Sequence, residues 1–220
     1  MNFDLPLFPL PLVLFPGMAL PLHVFEPRYR QLLADCVDSD GRFGIARLPD
    51  GIAEAEIPPG TIGCVAEIVN KETLPDGRSN ILVRGTDRFA LVSFVISSHP
   101  YHVCTAAPIE DEFEIGAELD ALAERVRDLF RRVGRAARTL ADDPDPLPEL
   151  PDEAAILSFA IASMIDIGLD ARQEILSSRS PLERLGHLDR VLTDALGTLV
   201  SRAQVHTLAK TNGHATHLEQ

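Results

Sequence analysis

Tryptophan is absent from this 220-residue chain, tyrosine occurs twice, and lysine occurs only at Lys71 and Lys210. Each shortage removes a class of function. A phosphate-cradling P-loop ends in a lysine that follows a glycine pair, and neither lysine has that setting. A Ser-Lys hydrolase needs a lysine beside its serine, yet Lys71 falls in a predicted strand next to a turn and Lys210 in the C-terminal tail. No G-x-S-x-G elbow, H-E-x-x-H zinc helix or dinucleotide fingerprint is present either. The three cysteines, Cys36, Cys64 and Cys104, form no C-x-x-C pair and no even-numbered framework, so a reducing cytoplasm is the expected home. Net positive charge is lacking too. At −13 the chain does not have the basic surface that coats nucleic acid or an anionic membrane.

An uninterrupted apolar run is also missing. The opening segment from Leu5 to Val24 is greasy, but Pro6, Pro9, Pro11, Pro16 and Pro21 interrupt it, and Asp4 stands where an export signal carries basic residues. A membrane-spanning segment must satisfy its own backbone as a helix, and this one cannot. No membrane partner is expected.

What is present reads first as strands and turns. Leu5 to Leu10 suits an edge strand or extended arm, because each proline removes a ladder donor. Phe15-Pro-Gly-Met18 is a turn, and Ala19 to Phe25 a short strand. Pro27 at the first helical position predicts a helix through Val37, with Tyr29, Leu32, Leu33 and Cys36 on one stripe. Arg42 to Leu48, Thr61 to Glu72, Ile81 to Val83, Phe89 to Ile96 and Tyr101 to Ala107 have strand composition, with a hairpin turn at Leu74-Pro-Asp-Gly77. From Gly116 the period becomes helical, with Leu119, Leu122, Val126, Leu129, Phe130, Val133 and Leu140 on one face. An Asp- and Pro-rich loop at 141–151 precedes a second helix over Asp152 to Ile165. Asp170 with Gln173 has the form of a capping box for a third helix, and Ser180-Pro181-Leu182-Glu183 opens a fourth. The expected class is α+β: a small β barrel or sandwich over 1–110, a helical bundle over 111–205 and a flexible tail over 206–220.

Three clusters invite chemistry. His102 and Cys104 share a strand face and would suit a soft metal, but no third or fourth ligand is near in sequence; the alternative is a half-buried histidine beside a core cysteine. Arg125, Arg127, Arg131, Arg132, Arg135 and Arg138 make either a stripe for nucleic acid or an acidic partner or a solvated face, and the interleaved Glu124 and Asp128 favour the latter. Phe25-Glu-Pro-Arg-Tyr29 places aromatic and charged groups at a strand-to-helix junction, where Glu26 either supports the helix start or borders a peptide-binding surface. Cys36 or Cys104 as a nucleophile would require a thiolate.

Leu5-Pro-Leu-Phe-Pro-Leu, Val13-Leu-Phe-Pro-Gly-Met and Leu20-Pro-Leu-His-Val-Phe-Glu-Pro-Arg-Tyr together resemble the opening of the Lon substrate-binding (N-terminal) domain. Gly63-Cys-Val-Ala-Glu-Ile, Leu74-Pro-Asp-Gly-Arg, Leu82-Val-Arg-Gly-Thr-Asp-Arg-Phe, Gln173-Glu-Ile-Leu and Pro181-Leu-Glu-Arg-Leu follow in the family's order, from about Leu5 to Leu199. The resemblance implies a PUA-like pseudo-β-barrel followed by a helical bundle, in a free-standing member without the ATPase and Ser-Lys protease domains. It implies a non-catalytic module with no cofactor, binding unfolded or peptide-like protein segments as an adaptor or recognition factor linked to proteolysis, with a protease or chaperone as partner. Candidate peptide-binding residues are Phe15, Phe25, Glu26, Arg28 and Tyr29. PUA-like barrels elsewhere bind RNA, which is the alternative, and the net charge counts against it.

Overall fold

The computed structural model describes residues 1–214. It contains six strands and five α-helices and divides into two compact units: 1–112 with 162–179, and 113–161 with the segment from Ser180 onward. Residues 162–179, expected in the helical half, group instead with the strands.

In the first unit, β1 (Phe3–Leu10), β2 (Ala19–Val24), β3 (Arg42–Arg47), β4 (Ile62–Thr73), β5 (Ser79–Val95) and β6 (His102–Ile109) form one mixed sheet in the order β2-β5-β4-β3-β1-β6. β1 and β3 are parallel and every other pair is antiparallel. β6 bonds to β1 on one side and to β5 on the other, so five strands close into a ring and β2 remains as an extra strand on β5.

Strand alternation sorts the core into two clusters. Leu5, Leu7, Ala46, Val65, Phe89, Leu91, Cys104 and Ala106, one face of the five ring strands, fill the ring with Ile57. Its width is set by two glycines: a Cβ on Gly44 would lie 2.8 Å from the Phe89 ring, and one on Gly63 2.6 Å from it. The opposite face, with Phe8, Phe43, Ile45, Cys64, Ala66, Ile81 and Val83, is covered by α1 (Pro27–Val37) through Tyr29, Leu32, Leu33 and Cys36. All four expected stripe residues are buried. At roughly 1.5–3 kcal/mol per buried large side chain, this face holds a helix too short to persist alone in water.

β5 is one strand where two were expected. Gly85 does not break it; it lets the chain before β2 approach. The Gly17 N–H donates to Gly85 O at 2.8 Å and the Gly85 N–H to Met18 O at 2.9 Å, and a Cβ at Gly85 would sit 2.2 Å from Phe15 O. The β4–β5 hairpin turns at Gly77, whose φ of +80° is in the left-handed region and whose missing Cβ leaves room for the Arg30 guanidinium. Gly77→Ala should therefore lower stability by about 1–2 kcal/mol, read as a fall in urea midpoint. Removing the Arg30 side chain as well should leave most of that loss, because the strain is in the backbone.

α4 (Leu169–Ser177) corrects the expected capping box. Its N-cap is Gly168, at φ +74°, without a side-chain cap. Asp170 instead pairs with Arg47 Nη1 at 2.7 Å, and Gln173 Nε2 donates to Ile62 O at 2.9 Å. Arg172 stacks over Phe15 at 4.9 Å and donates to the carbonyls of Ala162, Ile165 and Val13, bonding the end of α3 (Ala154–Met164) and the segment before the Pro16-Gly17 turn. These tertiary bonds are why 162–179 group with the sheet.

In the second unit, α2 (Ala117–Ala141) packs with α5 (Pro181–His214), whose Leu185, Leu188 and Leu192 are buried. Ser180 caps α5 as expected, its Oγ accepting from the Glu183 N–H at 3.0 Å. Arg184 is fully buried against the Phe159 ring, with its Nε donating to Ser158 Oγ. The 142–151 loop lies back along α2: Leu147 occupies the space over Gly134, and Arg127 donates to Leu150 O and Pro151 O. Of the tail expected over 206–220, residues through His214 continue α5, and 215–220 lie outside the described residues.

Candidate peptide-binding site

The five candidate residues separate into three environments. Phe15 has no exposed surface and lies under Arg172, and Tyr29 is buried with its ring stacked on Phe8 at 3.9 Å. In this conformation neither meets a ligand. Phe25, directly after β2, is 59% exposed. Glu26 and Arg28 lie between these extremes, bound to each other, and Arg28 also binds a residue not singled out in the sequence, Glu54.

Glu54 belongs to a single 3-10 turn in the β3–β4 connection and gathers the charges. Arg28 grips it with both terminal nitrogens at 2.6 and 2.9 Å, and its Nε donates to Glu26 Oε2 at 3.0 Å. The Tyr29 hydroxyl donates to Glu54 at 2.8 Å, and His102 Nε2 lies 3.4 Å from the same carboxylate. Burial and then the Glu54 hydrogen bond push the Tyr29 phenol well above its ordinary range, so it stays protonated and donating. The Arg28 guanidinium also stacks over the Tyr29 ring at 4.5 Å. This cluster fixes the first turn of α1, and with it the strand end carrying Phe25. Sequence spacing alone held no signal for Glu54, which is 26 residues from Arg28.

Beside this junction β2 has β5 on one edge and, among the described residues, no strand on the other. Pro21 in mid-strand, opposite Leu82, removes one donor and blunts indiscriminate pairing. Leu82 on β5 and Val69 on β4 are exposed, and His23 stacks with Phe25 at 6.1 Å while its Nδ1 meets Asn80 Oδ1 at 2.8 Å. The arrangement is a partly open strand edge ending in a rigidly mounted, solvent-facing phenylalanine.

The other clusters resolve differently. Cys104 is buried in the ring while His102 engages Glu54 and the edge of Phe94, and no three metal-ligating side chains converge among the described residues. Burial pushes the thiols of Cys36, Cys64 and Cys104 up to about 12, keeping them protonated and poorly nucleophilic. On α2, Arg125 pairs with Asp189, Arg132 with Asp128 and Arg138 with Asp143, and Arg127 is an internal staple. No helix among the described residues is long and apolar enough to cross a membrane.

Fold and site together describe an α+β binding module. A family model described as the ATP-dependent protease La (LON) substrate-binding domain matches residues 4–194, and the chain belongs to that family. It is similar to Lon protease 2 of Herpetosiphon aurantiacus, 28% identical over 90% of this chain and 24% of that protein, and to the Lon protease of Geobacter metallireducens, 27% identical over 94% and 26%. The chain thus spans about a quarter of the length of these relatives. Among solved structures, a Lon N-terminal domain protein from Xanthomonas campestris aligns over 84% of this chain and 96% of its own, with a TM-score of 0.61 and 27% identity. The N-terminal domain of a Mycobacterium avium complex Lon protease aligns over 89% and 98%, with a TM-score of 0.64 and 19% identity, a likeness of fold alone.

Proposed function

We propose that this chain is a non-catalytic protein-binding module that takes extended, apolar segments of unfolded polypeptides at the β2 edge. The observation that carries the reading is Phe25, an aromatic side chain left in solvent at the end of an unpaired edge and held in place by the Arg28–Glu54–Tyr29 cluster. Main-chain pairing along β2 would give tolerance of sequence, and Phe25 with Leu82 and Val69 would select apolar side chains. Membership of a substrate-binding family supports the same class of partner. In this reading the closed ring is a PUA-like pseudo-barrel and the second unit a helical bundle, and the module acts in the cytoplasm as an adaptor or recognition factor for a protease or chaperone.

Fluorescence anisotropy with a labelled, reduced and alkylated polypeptide tests it. Saturable binding is expected, and Phe25→Ala should weaken it about thirtyfold, the roughly 2 kcal/mol of an interface hot spot. The variant's circular dichroism should be unchanged, because the side chain supports no core. Parent protein that does not saturate, or a Phe25→Ala protein that binds as the parent does, overturns the reading.

A further inference from the structure

A proline inside an edge strand either removes a bond from the sheet or removes one from the outer edge, and the ladder decides which. In an antiparallel pair, successive residues direct their N–H and C=O alternately at the partner strand and away from it. The Gly85 N–H donates to Met18 O, so Met18 faces β5. The register then runs unbroken from Ala19↔Arg84 to Val24↔Ser79, and Leu20, Leu22 and Val24 face β5 in turn. Ala19, Pro21 and His23 therefore aim their main-chain groups at the free edge. Pro21 takes nothing from the β2–β5 ladder; the donor it lacks is missing on the outer side alone.

That side offers the N–H groups of Ala19 and His23 and the carbonyls of Ala19, Pro21 and His23. All three residues are exposed, and no backbone group among the described residues pairs with them there. An extended segment laid antiparallel along β2 would make both bonds at Ala19, both at His23 and one at Pro21. Only the segment's own carbonyl opposite Pro21 would lack a donor. A second β2 fares worse, because twofold symmetry repeats each loss. With the two Pro21 residues opposite each other, neither central bond forms, and each carbonyl meets the other pyrrolidine ring. Sliding the copies by two residues sets each Pro21 against an Ala19 or a His23, and a bond is again lost twice.

We infer that Pro21 is the specificity-determining residue of this edge: it admits a lone extended segment of another polypeptide and refuses a second copy of β2. An edge built this way stays open for a ligand without closing on its own copies. The ligand half of the inference rests on the β2-edge reading above, and the self-pairing half does not.

Amide hydrogen exchange on the parent chain reads the geometry. Leu20 and Leu22 should be protected, while Ala19 and His23 exchange freely and slow about tenfold or more once the reduced and alkylated polypeptide is bound. Sedimentation velocity reads the selectivity. Pro21→Ala restores the donor and should dimerise about 25-fold more tightly than the parent, because symmetry makes the new bond twice. Below its dimerisation range it should bind the polypeptide about fivefold tighter, the net effect of one hydrogen bond. A chain with N-methylalanine at position 21, assembled by ligation at Cys36, has neither ring nor donor and should behave as the parent. Protected Ala19 and His23 amides in the free parent overturn the inference. So does a Pro21→Ala chain that associates no more than the parent or leaves a bound polypeptide's affinity unchanged, or an N-methylalanine chain that associates as the Ala variant does. A parent that does not bind the polypeptide removes the Phe25 reading and leaves the self-pairing half standing on its own measurement.

Discussion

Gly63→Ala is expected to cost about 3 kcal/mol or more, unusually high for the addition of one methyl group. The added carbon would stand 2.5 Å from Ile45 O and 2.6 Å from Phe89 Cζ. The first of these neighbours is backbone in the adjacent strand β3, paired in register with Cys64, and it cannot yield without opening the ladder. Gly44→Ala provides the internal comparison. There the close neighbours, Leu5 Cδ2 and Phe89 Cζ at 2.8 Å, are both side-chain atoms. Replacing Phe89 by Leu should therefore recover much of the Gly44→Ala loss and little of the Gly63→Ala loss. Urea unfolding of the four variants measures the difference, and equal recovery in both backgrounds would show that the Phe89 ring alone sets the limit.

These glycines also show where sequence reasoning reaches its end. Period-two alternation and turn residues identified β2, β3, β4 and β6, and Pro27 with its stripe located α1 from first residue to last; β1, expected as an edge strand because of its prolines, lies instead between β3 and β6, with Pro6 opposite Val103 and Pro9 opposite Ala46. Local signals suffice for such elements because their causes are local. Gly85 looked like a break between two strands; its purpose is a close approach to Phe15, 70 residues earlier, and nothing near Gly85 in sequence says so. Asp170 and Gln173 matched a capping box and were drawn away by Arg47 and Ile62. Phe15 and Phe25 each precede a proline within two residues and are equivalent on paper, yet one is under Arg172 and the other in solvent. The candidate site was half legible for the same reason. Glu26, Arg28 and Tyr29 are neighbours, while Glu54 and His102, which lock them, arrive through tertiary folding.

Arg88→Met is expected to destabilise the first unit by about 3–5 kcal/mol, the range for breaking a buried charge pair from one side. Arg88 is 4% exposed, and its fork ties β5 to two segments that have no ladder of their own. Nη1 donates to Leu176 O at 2.8 Å and Ser178 O at 2.6 Å, closing the C-terminal end of α4, while Nη2 holds Asp111 in the connection after β6. Methionine fills similar space but leaves a carboxylate that is 23% exposed without its cation and two carbonyls without that donor. Adding Asp111→Asn to Arg88→Met should return about 1–2 kcal/mol, since the stranded charge is then gone. Arg88→Lys should fall between parent and Met: its ammonium can satisfy Asp111 or the helix end, but it has no planar fork to span both. A loss below about 1 kcal/mol for Arg88→Met, by urea unfolding, would mean the three segments hold together without it. The same geometry recurs elsewhere in the chain. Arg127 on the 150–152 carbonyls, Arg172 on Val13, Ala162 and Ile165, and Arg28 on Glu54 and Glu26 each tie irregular segments through several donors at once.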